Sequence, residues 1–403
     1  MVKRILIVGS GFAGLWSALG AARLVDKAGK ADGSIEIALI APEPFLHLRP
    51  RFHEAVPSGM KAPLLPLLEA VGVRYIQGQV ERIVAKKKIV EAIGADGNQF
   101  ALAYDQLVLA TGSKLNRPEV PGLREHAHSI DQLDEACALD RHLVGLTGLP
   151  GSPARNTVVI AGGGFTGIEI ATELPARLRA AWGVDTKINV IVIERAEYIG
   201  PDLGPGPRPV IEQALREQGI TWRVNTEVSA IDAEGMTTSD GERIDTKTVI
   251  WTAGMRASSL TEQIDAQRDR LGRLHVTADL RVSGVNDIFA TGDVALALTD
   301  DNGHNALMSC QHALRMGRFA GHNVAAVLIG LPTIPYQQLQ YGTCLDLGNW
   351  GAVYTKGWDR EVMLIGSEAK ALKQMINTKL IYPPLPDRAA ALAAADPEAN
   401  LGA

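Results

Sequence analysis

Lys3-Arg-Ile-Leu-Ile-Val-Gly-Ser-Gly-Phe-Ala-Gly14 returns, 153 residues later, as Asn156-Thr-Val-Val-Ile-Ala-Gly-Gly-Gly-Phe-Thr-Gly167. Each copy opens with a β-branched apolar run, the pattern of a strand buried on both faces of a parallel sheet. Each then passes through GxGxxG into an Ala/Leu-rich stretch with helical composition. In this turn the first glycine (Gly9, Gly162) permits the tight bend. The second (Gly11, Gly164) lets a pyrophosphate approach the backbone, and the third (Gly14, Gly167) lets helix lie close on strand. Phe12 and Ala13, with Phe165 and Thr166 in the second copy, complete loops whose helix N-termini offer free N–H groups to a diphosphate. Second apolar strands follow at Ile35–Ile40 and Ile188–Ile193, at the same offset. One GxGxxG is a weak signal. Two, each set between a strand and a helix, predict two dinucleotide-binding units on one chain.

The rest of the composition agrees. The 403 residues are too many for one average domain, and 46% hydrophobic with 21% charged residues is an ordinary globular balance. Glycine, at 41 residues, exceeds its usual share of roughly 7%. Forty Lys+Arg against 45 Asp+Glu, with no block of like charge, argue against a nucleic-acid-binding surface or a basic membrane patch. Cys137, Cys310 and Cys344 form neither a zinc spacing nor an even disulfide framework, which fits a reducing cytoplasm and small buried side chains. The nine histidines form no ligand cluster, so no metal is expected. Met1–Ala22 has the charge and apolar run of a signal peptide, but its glycines fall at turn intervals and the segment recurs internally. Val324–Leu331 is too short to span a bilayer.

A carboxylate at the end of the second strand of such a unit grips the ribose hydroxyls. Glu194 stands there in the second unit, 32 residues after Gly162. It predicts a preference for NADH, because a 2′-phosphate would meet its charge; the neighbouring Arg195 is the one feature that points the other way. In the first unit the equivalent residue is Ala41, so its ligand should be held less tightly. Glu43, two residues on, is the candidate substitute.

Three further segments narrow the reading. Leu107-Val-Leu-Ala-Thr-Gly-Ser113 and Asp287-Ile-Phe-Ala-Thr-Gly-Asp293 are strands ending in an Ala-Thr-Gly turn, and Val249-Ile-Trp-Thr-Ala-Gly254 lies between them. Together with Gly162-Gly-Gly-Phe-Thr-Gly-Ile-Glu-Ile-Ala-Thr-Glu-Leu174, Pro121-Gly-Leu123 and Gln311-His-Ala, the pattern resembles the two-dinucleotide flavoproteins. Within them it is most similar to the type II NADH dehydrogenases, from about Lys3 to about Asn323. The resemblance implies an α/β protein in which a discontinuous FAD domain (1–118 and 273–335) is interrupted by an NADH domain (119–272). A C-terminal α+β segment (336–403) follows. It implies one non-covalent FAD per chain, with NADH as co-substrate. FAD would contact Ala110, Thr111, Gly112, Gly292 and Asp293, the last at its ribitol; the local alternative for Asp293 is a helix N-cap. Val80 would touch the adenine by its backbone, and Pro50 would lie in the flavin-proximal loop, although its neighbours Arg49 and Arg51 depart from the family's residues. NADH would contact Ala253 and Gly254 besides its glycine loop. Glu169, placed in the first turn of the second helix, has two readings of equal weight: dipole stabilisation, or positioning and proton management near the flavin.

The acceptor side departs from the resemblance. No CxxxxC follows the first glycine loop, which excludes a disulfide reductase, and the cysteines do not suit a sulfide:quinone reductase. Gln311 matches the first of two glutamines that the family sets at its quinone mouth, but Arg315 stands where the second belongs. An arginine there would be costly beside an apolar ring and would favour short-chain, polar quinones. Thr343–Tyr354 reads as strands with a turn, and Glu368–Ile381 as a short helix whose Lys370, Lys373 and Lys379 form a modest basic face. Pro383-Pro384 ends the ordered chain, with a frayed Ala-rich tail from Asp387. The sequence thus predicts a cytoplasmic enzyme, at most peripheral at the inner face of the membrane, passing electrons from NADH through FAD to a quinone-like acceptor. A homodimer is one assembly consistent with it. Two rivals stay open: an NADH-dependent reductase of a small redox protein of ferredoxin or rubredoxin type, and a non-catalytic redox sensor.

Overall fold

Lys3–Val8 forms the centre of a five-stranded sheet, flanked by Gln106–Leu109 and Ile35–Ala41, with Ile288–Ala290 and Arg74–Gln77 outermost. All four pairings are parallel. A second five-stranded sheet has the same plan. Thr157–Ala161 lies between Thr248–Trp251 and Asn189–Ile193, with Ala127–His128 and Ile220–Arg223 outermost, again all parallel. These relations come from a computed structural model that describes residues 2–399. The registers match too: Lys3 pairs with Ile35 and Thr157 with Asn189. The outermost Ile288–Ala290 strand closes the first sheet from far along the chain, so that sheet is built from both sides of the second.

The repeat extends further than the glycine loops. Before its fourth central strand each half carries a three-stranded antiparallel sheet: Gln79–Val84, Ile89–Ile93 and Gln99–Ala103 in the first, Val228–Asp232, Gly235–Thr238 and Arg243–Asp245 in the second. Val80 lies on the first of these, paired with Ala92.

Helix Phe12–Lys27 packs along the long helix Cys310–Ile329 through glycines rather than side chains. A Cβ on Gly20 would stand 2.7 Å from the Arg318 carbonyl oxygen, and one on Gly317 2.5 Å from that of Ala13. A Cβ on Gly321 would overlap the Ser17 carbonyl. Backbone meets backbone here, and the sheet beneath is covered by two helices at unusually close range.

The C-terminal segment forms the antiparallel strands Gly342–Asp346, Ala352–Lys356 and Glu361–Ile365, as the sequence suggests, then helix Gly366–Met375 with a wider turn at Ile376–Leu380. The frayed tail is not observed. Arg388–Ala394 is a helix whose N-cap Asp387 accepts from the Ala390 N–H. Ala391, Leu392 and Ala395 are buried, Arg388 bonds Asp26, and Asp396 pairs with Arg23. Small apolar residues that looked like a composition-biased tail are the contact face of a docked helix. Among the described residues no helix is long and apolar enough to cross a membrane.

The glycine seam is directly testable. Gly321→Ala should cost about 1–3 kcal/mol by overpacking. Gly145→Ala, at a helical position where a Cβ meets nothing within 4 Å, should leave stability unchanged or raise it by up to ~1 kcal/mol. Urea midpoints of the two variants give the comparison.

Candidate functional site

Both glycine loops are built alike. Gly9 and Gly162 have φ of +109° and +115° and donate to the carbonyls of Ile40 and Ile193, at the ends of the neighbouring strands. Cβ atoms on Gly14 and Gly167 would overlap the carbonyls of Gly9 and Gly162, which is the close strand–helix approach the third glycine allows. The helices begin at Gly11 and Gly164 with no capping side chain, so the N–H groups of their first turns remain free for an anion. At both caps a Cβ would meet nothing within 4 Å: the space in front is open. A second turn roofs each loop. A Cβ on Gly9 would stand 3.0 Å from the Ala110 carbonyl carbon, and one on Gly162 2.9 Å from the Ala253 nitrogen. Ala110-Thr-Gly112 and Thr252-Ala-Gly254 are therefore equivalents. Phe12 and Phe165 pack into the core behind their loops.

The first cradle suits FAD. Gly112 faces open space, Thr111 Oγ1 and Thr291 Oγ1 are buried without partners, and Gly292 lies against Ala13, 2.8 Å from a Cβ built on it. Asp293 accepts from Ser113 Oγ at 2.6 Å and lies 3.8 Å from the Arg49 guanidinium. Burial raises its pKa, against the opposing pull of Arg49 and Ser113. It does not act as the cap of a longer helix, since only the short turn Gly292–Val294 follows. Glu43 has an exposed carboxylate, while its backbone carbonyl accepts from Ser10 of the glycine loop. In the second cradle Glu194 is buried, and its two oxygens accept from the Gly163 and Ala196 N–H groups at 2.7 and 2.8 Å. The carboxylate is wired to the loop it serves.

Glu169 is the fifth residue of helix Phe165–Trp182, and that helix has no acid in its first turn. The dipole reading therefore fails. Its carboxylate is buried, 2.7 Å from Lys373 Nζ and 3.4 Å from His53 Nδ1, and it accepts from the Asp346 N–H at 3.0 Å. Burial works against the Lys373 charge, but Glu169 outweighs it, and the net shift of the lysine is upward. The basic face expected on this helix is thus mostly internal: Lys373 pairs with Glu169 and Lys370 with Asp346 at 2.6 Å. Cys310 lies within electrostatic reach of both Lys373 and Asp293, and burial pushes its thiol up to about 11. Cys344 rises to about 12 for the same reason. Neither is a thiolate nucleophile, and all three cysteines are free. Next to Cys310, Gln311 Oε1 is buried and unpartnered. Arg315 is one turn further along the helix; its Nε donates to the Gln337 carbonyl at 2.6 Å and its guanidinium lies over the Phe319 ring. Lys373 and Asp293 both act electrostatically on Cys310, Gln311 is the next residue in the chain, and Arg315 folds back along the helix.

The segment that sequence reasoning undervalued is Arg49–Glu54. Arg49 bonds Ser113 and Asp131. Arg51 pairs with Glu54 and bonds Tyr382, and Glu54 accepts from Asn377. Two arginines beside Pro50 were the visible signal; their partners, far along the chain, were not.

A model of the pyridine nucleotide-disulphide oxidoreductase family matches residues 3–317. The chain belongs to that family. An NADH dehydrogenase-like protein of Mycobacterium tuberculosis is 46% identical over 400 residues, covering 98% of each chain. Demethylphylloquinone reductase NdbB of Synechocystis is 30% identical over 358 residues, 87% of this chain and 86% of the relative. A type II NADH:quinone oxidoreductase of Staphylococcus epidermidis is 28% identical over 398 residues, 94% and 95% of the two chains. The NDH2 of Plasmodium falciparum solved in complex with NADH superposes with a TM-score of 0.80 over 98% of each chain at 16% identity, a likeness of fold. The chain stands in the type II NADH dehydrogenase-like branch and is an oxidoreductase with the cofactor pair FAD and NADH.

His312, on the turn after Gln311, is fully buried with Nε2 unpartnered, and burial lowers its pKa to about 4. His128 is lowered to about 4 by burial and by the His142 ring beside it. Both are neutral in the folded enzyme while the unfolded chain takes up protons near pH 6.5. Their contribution to stability is therefore complete above about pH 6.5 and is lost as pH falls towards 4. His312→Gln should flatten that loss, read as a shallower fall of the urea midpoint between pH 6.5 and 4.5.

Proposed function

We propose that this oxidoreductase transfers the hydride of NADH through FAD to a quinone-like acceptor at a site walled by Glu169, Gln311 and the C-terminal helix. The observation that carries it is the buried Glu169–Lys373 pair. It joins the second glycine helix to the C-terminal segment, and its Lys373 lies within electrostatic reach of Cys310, the residue before Gln311. The names of the Synechocystis and Staphylococcus relatives support a quinone.

FAD would be held by Gly9, Gly11, Gly14, Ala110, Thr111, Gly112, Gly292 and Asp293, and when bound it supplies the ring that accepts hydride and passes on two electrons. The residues of this chain bind, orient and exclude water. The Gly162–Gly167 loop and the N–H groups after Gly164 take the NADH diphosphate. Glu194, already fixed by two N–H donors, receives the ribose hydroxyls on its remaining lone pairs and opposes a 2′-phosphate. The Thr252–Gly254 turn limits the depth to which NADH enters. Gln311 presents a buried, unpartnered amide oxygen that orients a polar acceptor group. Glu169, 2.7 Å from Lys373 Nζ, is the group placed to manage the proton that a quinone takes up on reduction. We place the enzyme in the cytoplasm, at most peripheral at the membrane's inner face, because the lysines of helix Gly366–Met375 are committed to internal pairs.

Anaerobic addition of NADH to the flavin-loaded protein should bleach the flavin, and NADPH should do so at least ten times less efficiently. Glu194→Ala should narrow that ratio severalfold without abolishing bleaching. Equal efficiency with NADPH in the unmutated protein would overturn the ribose assignment.

The acceptor preference has its own test. Arg315 keeps a charge one turn from Gln311, and short-chain, water-soluble quinones should be reduced faster than long-tailed ones. Arg315→Gln should raise the long-tail to short-tail ratio of kcat/KM severalfold, while flavin bleaching by NADH is unchanged. Preference of the unmutated protein for long-tailed quinone, or for a ferredoxin-type protein, would refute this assignment.

A further inference from the structure

His53 is a buried titratable group at this site to which the reading above gives no task. It follows the Arg49–Arg51 turn, is 3% exposed, and sets Nδ1 3.4 Å from a Glu169 oxygen while Nε2 is buried with no partner. Nε2 meets no partner among the protein's own groups, so packing alone gives no reason for an imidazole at that spot. The second acid of the same helix face supplies the reason. Glu173 lies one turn beyond Glu169, half-buried and within electrostatic reach of His53; burial, the largest influence, raises its pKa. The other charges at this corner are Lys373 on Glu169, Asp346 and Lys370 near Glu173, Arg177 on the same helix, and Glu54 with Arg51 on the histidine's own segment.

We propose that His53 is a proton-positioning residue that links the half-exposed Glu173 to the buried Glu169, so that the proton consumed at the acceptor site enters along Glu173, His53 and Glu169. This rests on the quinone-reductase reading. Its balance is simple: NADH gives up a hydride, one hydrogen with both electrons, and the acceptor needs a second hydrogen, which arrives as a proton from bulk water. Glu169 is 4% exposed and cannot collect that proton directly. An imidazole takes a proton at one ring nitrogen and releases one from the other. Lys373 Nζ, 2.7 Å away, fixes the Glu169 carboxylate in place.

The test uses the FAD-loaded enzyme, His53→Gln, which keeps an N–H donor but cannot pass a proton through, and Glu173→Gln. Proton uptake is followed with an indicator dye during turnover with a short-chain quinone, across pH and in D2O. His53→Gln should slow proton uptake and kcat together by tenfold or more, raise the solvent isotope effect, and change the acceptor KM less than twofold. Glu173→Gln should show the same signature, smaller. A His53→Gln enzyme within twofold of the unmutated rate with an unchanged isotope effect overturns the proposal. So does an equal loss of FAD retention, which would mark a structural role. A readout independent of any acceptor is the ring carbon NMR shift of His53 in oxidised enzyme. It should move in both Glu169→Gln and Glu173→Gln; no response to Glu173→Gln overturns the link. An unmutated enzyme that reduces no quinone while His53 senses both acids removes the acceptor reading and leaves the coupling.

Discussion

Glu169 and Lys373 give up water to meet one another, and the placement of the C-terminal segment depends on that exchange. Taking two charges into a protein interior costs several kcal/mol per ion, and their attraction repays it only if the remaining hydrogen-bonding capacity is met. Here it is met: Glu169 also accepts from the Asp346 N–H, and Lys373 also donates to the Cys344 carbonyl. An apolar pair of equal volume could hold the two helices as firmly. What it could not do is fix one register, because every other alignment of helix Gly366–Met375 would strand a buried charge. The pair joins helix Phe165–Trp182 to helix Gly366–Met375.

The two halves repeat one architecture and differ where their ligands differ. Strand order, register, the φ of the first glycine, the roofing turn and the antiparallel three-stranded insertion all recur. The acid does not. Glu194 is bound into its own loop, whereas Ala41 leaves the first half with the exposed Glu43 alone. The first half compensates from elsewhere in the chain, with Ile288–Ala290 completing its sheet and Asp293 arriving at the end of that strand.

Much of this was legible because glycine periodicity and β-branched runs are local signals. The repeat gave both parallel sheets and both loops, and Thr343–Tyr354 was readable as strands. What stayed hidden was set by partners rather than by pattern. Glu169 was counted into a first turn because loop and helix residues are hard to separate by eye; the true helix start at Phe165 moves it one turn in and into the core. Lys370 and Lys373 looked like a solvated face, since nothing local says that a lysine will find an acid 204 positions away. The tail from Asp387 had the composition of disorder; in the structure Ala391, Leu392 and Ala395 are buried, and Arg388 and Asp396 pair with Asp26 and Arg23 of helix Phe12–Lys27.

The same reasoning explains why Arg49–Glu54 matters more than its length suggests. Arg49 ties it to Ser113 and Asp131, on the strand that crosses between the two sheets and on the segment beyond it. His53 ties it to the second glycine helix, while Arg51 and Glu54 tie it to Tyr382 and Asn377 of the C-terminal segment. Each contact is polar, so each is directional in a way that apolar packing is not. Three parts of the chain that could slide past one another on hydrophobic contacts alone are thus held to a single relative placement by six residues. That placement sets Glu169 of the second glycine helix against both His53 of this segment and Lys373 of the C-terminal helix. Polar joints of this kind fix the groups they hold with a precision that a greasy interface would not supply.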